Sequence, residues 1–171
     1  MTRRVESFCK PVIAAVNGLA YGGGCELVGS AHLALAADTA FFASRRSIRD
    51  HPDLRRHPPA SRNVGRKAAI ELILTGRSFG AAQAARLGLI NRVVTGADLI
   101  RTAIDLSKEL AAKPPLAVAA ALSAIHRGMD AAIDDGLSIE EAAFARIAPT
   151  RDASEGVAAF LEKRAPSYLG R

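Results

Sequence analysis

The feature that most constrains the fold is a strand, a glycine-rich turn and a helix in immediate succession. Val12–Val16 is a short apolar, β-branched run that predicts a buried strand. Three consecutive glycines, Gly22–Gly24, predict a loop, and Cys25–Ala31 predicts a helix. A buried strand that leads through a loop into a helix is typical of α/β proteins.

The rest of the chain repeats this alternation and then becomes helical. Leu33–Ala43 predicts two strand pieces separated by a turn at Asp38–Thr39, and Leu89–Val94 predicts a short strand. The pattern predicts helices over Gly65–Thr75, Ala81–Leu87, Asp98–Ala112, Leu116–Arg127, Ser138–Ile147 and Asp152–Lys163. We therefore expect an α/β core in residues 1–96 and a helical region in residues 97–171.

Composition narrows the class of protein. The 171 residues are 49% hydrophobic, which suits a chain with a real core. No apolar run reaches about 18 residues, so we expect no membrane span, and the N-terminal residues lack the pattern of a signal peptide. Cys9 and Cys25 are the two cysteines, and we expect both to be reduced and buried in a cytoplasmic protein.

The glycine turn is the strongest candidate for a functional site. The first N–H groups of a helix have no intrahelical partner, and the helix dipole makes them attractive to an anion or a developing oxyanion. Glu26 follows within one turn, where a carboxylate could serve as a general acid or base. Two simpler interpretations stay open: the glycines form a tight packing turn, and Glu26 complements the dipole. The spacing matches neither a Walker A loop nor a G-x-G-x-x-G fingerprint.

Four stretches together resemble the enoyl-CoA hydratase/isomerase (crotonase) superfamily. They are KPVIAAVNGLAYGGGCELVGSAHLALAADTAFF, GRKAAIELILTGRSFGAAQAARLGLINRVV, AAKPPLAVAAALSAI and TRDASEGVAAFLEKRAPSYLGR. The resemblance implies the second half of a ββα spiral (residues 1–96), followed by C-terminal helices that build a homotrimer or hexamer (residues 97–171). It also implies an acyl-CoA thioester as substrate, with CoA as part of the substrate and no separate cofactor.

The resemblance assigns roles to individual residues. The N–H of Gly23 would hold the thioester oxygen, and Glu26 would be the first catalytic carboxylate for adding water to a 2-enoyl-CoA. Ala20 and Gly22 would contact the substrate. Phe160 and Lys163 would lie near the adenine or phosphates of CoA, and an equally open alternative is a docking helix with a solvated lysine.

Two departures from the family pattern bear on activity. The sequence begins at the helix before the KPVIAAVNG strand, so we expect the first half of the spiral, with the second oxyanion N–H, to lie upstream. Arg45 and Arg46 stand where hydratases carry a second catalytic glutamate, and a guanidinium cannot act as a base. Codons compatible with residues 44–61, read one nucleotide later, can encode the family's P-E-V and G-G-T pattern. We therefore hypothesise a pair of compensating frameshifts.

The same segment raises two other functions. Residues 44–62 carry six arginines and two aspartates, a net of +4 within the chain's +6. Such charge could bind nucleic acid, but the remaining sequence offers little basic surface and few aromatics, so we expect no nucleic-acid partner. His51 and His57 lie among Pro and Arg without a regular spacing, so we expect no metal site.

Two functions from different classes therefore compete. In the first, the chain is an enoyl-CoA hydratase (a lyase of fatty-acid β-oxidation-like chemistry) whose activity is impaired by residues 44–61. In the second, it is a non-catalytic, truncated member of the family that only assembles with partners, including an intact paralogue.

Overall fold

A computed structural model describes residues 2–43 and 63–171 of the chain. They form two compact units. The first unit combines residues up to Glu6 with Val12–Asp105, and the second combines Ser7–Pro11 with Leu106–Arg171. The predictions for residues 44–61, which include both the frameshift and the two histidines, lie outside the described residues.

The first unit alternates short strands with helices. In chain order its described elements are α1 (Thr2–Glu6), β1 (Ile13–Val16), β2 (Leu19–Tyr21), α2 (Gly23–Ser30), β3 (Leu33–Ala37), β4 (Phe41–Ala43), α3 (Arg66–Thr75), β5 (Phe79–Gly80), α4 (Ala81–Arg86) and β6 (Arg92–Val94). Another helix, α5 (Leu99–Ala111), begins in this unit and ends in the second. This arrangement confirms the predicted α/β class.

The described strands form two small sheets with parallel pairing between successive turns of the chain. β1 pairs with β3, and β3 pairs with β6, both in parallel. β2 pairs with β4 in parallel, and β4 pairs with β5 in the antiparallel sense. A parallel pair requires a crossover connection, and α2 provides it between β1 and β3. The glycine turn is therefore part of this crossover.

The core of the first unit consists mainly of small residues around two phenylalanines. Ala36 and Phe42 are fully buried, and the Phe42 and Phe79 rings stack with centroids 5.8 Å apart. Asn91 ties β3 to the chain before β6, because its side-chain oxygen accepts the N–H of Ala34 at 2.8 Å and its own N–H donates to the Ala34 carbonyl at 2.8 Å. These contacts fix β3 and β4, the two strands that follow the crossover.

Most predicted elements of this unit are present with shifted bounds. The strand after Pro11, the turn at Asp38–Thr39 and the helix end at Gly76 agree with the sequence prediction, and Gly76 has the left-handed conformation typical of such ends. The predicted loop over Gly22–Gly24 is wrong in part, because α2 already begins at Gly23. Strands β2 and β5 were not predicted, since runs of two or three residues show no periodicity.

The second unit is helical. After the end of α5 it contains α6 (Pro115–Gly128), α7 (Ile133–Ile147) and α8 (Arg151–Glu162). Thr150 caps α8, since its side-chain oxygen accepts the N–H of Ala153 at 3.2 Å. The division into residues 1–96 and 97–171 was predicted from a change in sequence pattern. It refers to regions of the family fold and not to compact units, so it stays a prediction.

Helix α7 begins before Ser138, where the sequence predicted its start. Asp134 and Asp135 lie in its first turn, where carboxylates stabilise the positive end of the helix dipole. Gly136 does not break the helix, because it meets Gly128 of α6: a Cβ at Gly136 would lie 3.5 Å from the Gly128 carbonyl oxygen. Two glycines thus let the backbones of α6 and α7 approach closely.

The two cysteines differ in their environment. Cys25 is buried as predicted, whereas the prediction for Cys9 is wrong because Cys9 is exposed. Cys9 lies in a bend after the short helix α1, and the residue is exposed. Within the described residues, no helix is long and apolar enough to cross a membrane.

Candidate active site

The site is built at the point where β2 ends and α2 begins. Ala20 lies in β2 and is buried, so the strand is fixed in the core. Gly22 follows with φ 53° and ψ −116°, a conformation that a residue with a side chain rarely adopts. The N–H of Gly22 donates to the carbonyl of Ala43 at 2.9 Å, which holds the turn against β4. A glycine is therefore required here by the backbone itself.

Backbone amides are presented at the start of α2. The N–H of Glu26 donates to the Gly22 carbonyl at 3.0 Å and is the first bond of the helical ladder. The amides of Gly23, Gly24 and Cys25 precede that bond and have no place in the ladder. Gly23 is exposed, and a Cβ built on it would meet nothing within 4 Å. Gly23 thus borders open space at the positive end of a helix, and an N–H without a helical partner at that end suits an oxygen that gains negative charge.

Glu26 places a carboxylate in the first turn of the same helix. Its side chain is half-buried, and its backbone carbonyl accepts the Ser30 hydroxyl at 2.7 Å. A carboxylate within one turn of the exposed amides is positioned to exchange a proton with a molecule bound on them. The structure therefore brings together four of the residues predicted for the site: Ala20, Gly22, Gly23 and Glu26.

Cys25 lies beside these groups but is not a nucleophile. Burial and, to a smaller extent, the negative charge of Glu26 together raise the pKa of the Cys25 thiol to about 11. The thiol is therefore protonated at neutral pH, and only the thiolate would react. This agrees with the prediction that Cys25 fills space in the core.

His32 has a positioning role that the sequence did not reveal. It follows the predicted helix Cys25–Ala31 and lies in the bend between α2 and β3. Its Nδ1 accepts the N–H of Val12 at 3.0 Å, and its Nε2 lies 3.2 Å from the carbonyl oxygen of Glu6. It thus links the end of α1 to the start of β1, the strand that leads to the site. A histidine directly after a helix was the available signal.

The other two predicted site residues belong to the second unit. Phe160 lies in α8 and is 83% exposed. Lys163 is exposed and caps the end of α8 with a left-handed backbone, at φ 54°. Their predicted contacts with CoA stay predictions.

Across residues 2–43 and 63–171, no group of three or more His, Cys, Asp or Glu side chains could hold a metal ion.

The chain is similar to known proteins over nearly its whole length. The family model described as Enoyl-CoA hydratase/isomerase matches residues 1–171. The chain is 39% identical to the Short-chain-enoyl-CoA hydratase of Clostridium acetobutylicum over 163 residues, which cover 95% of this chain and 62% of that protein. It is 36% identical to the 2,3-dehydroadipyl-CoA hydratase of Escherichia coli K12 over 169 residues, covering 98% of this chain and 66% of that protein.

Solved structures agree with the sequence relatives. The crystal structure of an enoyl-CoA hydratase from Bacillus anthracis superposes with a TM-score of 0.91 at 35% identity, and covers 99% of this chain and 66% of that one. The present chain thus spans a little under two thirds of the length of the proteins that it matches. The match to the family model, the identities and the superposition all point to one conclusion: the chain belongs to the enoyl-CoA hydratase/isomerase family.

Proposed function

We propose that the chain binds the thioester group of an acyl-CoA at the glycine turn and that its chemistry is the hydration of a 2-enoyl-CoA. The observation that carries this proposal is the N–H of exposed Gly23 at the start of α2, within one helical turn of Glu26, after a turn whose backbone requires a glycine at Gly22. Its relatives include proteins named as enoyl-CoA hydratases, which supports the same substrate class.

The proposed reaction adds water across the C2–C3 double bond. The Gly23 N–H donates to the thioester oxygen, so negative charge that moves onto this oxygen is stabilised as an enolate. Glu26 exchanges a proton with the water or with carbon C2. The water oxygen bonds to C3, one of its protons ends on C2, and the enolate returns to a thioester. No separate cofactor enters this scheme.

We expect the activity of this chain to be impaired. A hydratase of this type uses a second carboxylate, and Arg45–Arg46 stand at the corresponding place in the sequence. Glu26 alone would have to handle every proton transfer. The second candidate function is therefore a non-catalytic family member that only assembles with partners.

Assembly is supported by an apolar groove in the second unit. The groove has a volume of about 670 Å³ and lies between α6 and α7. Large apolar side chains at its rim are mostly exposed, among them Met129 at 69% and Ile133 at 77%. Patches of this kind mark protein–protein contacts. We propose that this face packs against other subunits, in a homotrimer or hexamer or in a mixed assembly with an intact paralogue.

A substrate assay with a matched pair of variants tests the catalytic role of Glu26. Hydration of crotonyl-CoA is followed by the loss of absorbance of the conjugated thioester. The test variant is Glu26→Gln. The matched control is Glu109→Gln, which changes an exposed glutamate of α5. We expect no detectable turnover by the unmodified chain. Clear turnover that Glu26→Gln abolishes and Glu109→Gln retains would contradict the impairment and confirm the role of Glu26.

Binding separates the two functions if there is no turnover. A saturated acyl-CoA is titrated into the chain by calorimetry, with free CoA as the control ligand. The proposal predicts tighter binding of the thioester than of CoA. Equal binding of the two ligands, or none of either, would leave assembly alone as the function.

A further inference from the structure

Residues 164–171, which we call the strap, run back along α8 in the opposite direction to the helix. Arg164 donates to Glu155, Ser167 donates its N–H to the same carboxylate at 2.8 Å, and the N–H of Leu169 donates to Asp152 at 2.7 Å. Later residues of the strap therefore contact earlier residues of the helix. The reversal takes place at Lys163, whose left-handed backbone ends α8.

The helix offers one continuous face to the strap. The contacted positions are spaced three and four residues apart, so they share one face of the helix: Asp152, Glu155, Gly156 and Ala159. Gly156 has no side chain there, and a Cβ on it would lie 3.3 Å from the hydroxyl oxygen of Tyr168. Val157, Phe160 and Leu161 lie on other faces and stay exposed.

The two ends of this face hold the strap in different ways. Near the reversal, Arg164 pairs with Glu155 at 2.6 and 2.8 Å and with Glu162, and all three side chains are partly or largely exposed. Such pairs contribute little and are screened by salt. At the far end, Asp152 is a buried acidic residue, only 3% exposed.

Asp152 holds the far end of the strap through three hydrogen bonds. Its two carboxylate oxygens accept the N–H of Leu169 at 2.7 Å and that of Gly170 at 2.9 Å, and its own N–H donates to the Arg171 carbonyl at 3.1 Å. Gly170 adopts φ 74°, and a Cβ on it would lie 3.1 Å from Cγ of Pro115 at the start of α6. The strap end is thus closely packed as well as hydrogen-bonded.

We infer that the strap is a detachable segment whose release is controlled by Asp152, with Lys163 as its hinge. A segment fixed at its hinge and at its far end cannot leave the helix, whereas the loss of the far clamp leaves the strap held by the bonds of Arg164 and Ser167 to the partly exposed Glu155. The salt-screened pairs of Arg164 cannot replace this clamp. Breaking the Arg164 pairs should loosen the strap only beside the hinge, and breaking the Asp152 contacts should release all of it.

Amide hydrogen exchange measured by NMR on the full chain tests this asymmetry. Asp152→Asn leaves one oxygen acceptor and removes the charge, and losing a bond to a charged group corresponds to about a tenfold or larger change in an opening equilibrium. We expect exchange at Ser167, Leu169 and Gly170 to rise about tenfold or more. The control is Asp134→Asn, which removes an exposed first-turn carboxylate from α7 and should change none of the three rates.

Two further variants complete the test. Arg164→Gln should raise exchange at Ser167 and leave the exchange rates of Leu169 and Gly170 within about threefold of those in the unmodified chain. Gly170→Ala disturbs the clamp from the strap side and should raise the same three exchange rates. It serves as the test variant if Asp152→Asn does not fold. The inference is overturned if neither clamp variant raises exchange at Leu169, or if amides within α6 and α7 rise by the same factor.

Discussion

Replacing Gly23 with proline removes one backbone N–H from the proposed thioester site. Gly23 is the first residue of α2, a position where proline is favoured because that N–H has no helical partner. A Cβ at Gly23 meets nothing within 4 Å, so the residue has room for a side chain. The matched control is Gly23→Ala, which adds a Cβ in the same open space but keeps the N–H.

The size of the effect depends on the charge of the oxygen that accepts the bond. A hydrogen bond to a neutral carbonyl contributes about 0.5–1.5 kcal/mol, so the dissociation constant of a bound acyl-CoA should rise by about twofold to tenfold. One oxyanion donor contributes about 2.7–4 kcal/mol to a transition state. The rate of any residual hydration should therefore fall by about a hundredfold or more in Gly23→Pro and change little in Gly23→Ala.

Infrared difference spectroscopy can detect the hydrogen bond from Gly23 to the thioester carbonyl and needs no turnover. A thioester carbonyl that accepts a hydrogen bond stretches at lower frequency than one in the free ligand, and carbon-13 at the carbonyl identifies its band. We expect the lowered band in the unmodified chain and in Gly23→Ala, and a partial return toward the free frequency in Gly23→Pro. If Gly23→Pro leaves the frequency and the affinity unchanged, the Gly23 amide does not hold the thioester.

Three further outcomes follow from the first unit. Gly22→Ala should lower the free energy of unfolding in urea by about 1–3 kcal/mol because of the left-handed backbone, and an unchanged value would contradict the strain. Phe42→Ala should lower the free energy of unfolding by about 3–5 kcal/mol, because a fully buried ring is lost. Phe41 is partly exposed, so Phe41→Ala should lower it less, and equal losses would refute this. Burial raises the pKa of Cys25 to about 11, so iodoacetamide at pH 8 should label Cys9 and spare Cys25 until the chain unfolds, as mass spectrometry would detect.

The sequence predicted the parts of the fold that depend on local chemistry. The strand after Pro11 is an uninterrupted apolar run, and Gly76 ends α3 because glycine adopts the left-handed conformation at low cost. Strands β2 and β5 depend instead on pairing with β4, which lies elsewhere in the chain, so their own residues carry no signal. The early start of α7 likewise depends on contact between Gly136 and Gly128.

The candidate site was predictable in its residues and not in its geometry. Three glycines before Glu26 indicated amides beside a carboxylate, but the conformation of Gly22 and the open space at Gly23 are tertiary properties. The bond from His32 to Val12 joins residues that are far apart in sequence, so no periodicity could indicate it. Cys9 was misassigned because cysteine is usually buried.

The nucleotide sequence encoding residues 44–61 tests the origin of the unusual segment. The frameshift hypothesis predicts that the frame one nucleotide later encodes the family's P-E-[VI] and G-G-T pattern. A shifted frame without this pattern would contradict it, and Arg45 and Arg46 would then be genuine replacements of the catalytic glutamate.

The central claim is that the amide of Gly23 binds the oxygen of an acyl-CoA thioester. A proton–nitrogen correlation spectrum of the chain, titrated with a saturated acyl-CoA and separately with free CoA, measures that amide directly. The account predicts a downfield shift of the Gly23 amide proton with the thioester and a much smaller change with CoA. A Gly23 signal that does not move when the chain is saturated with acyl-CoA would contradict it.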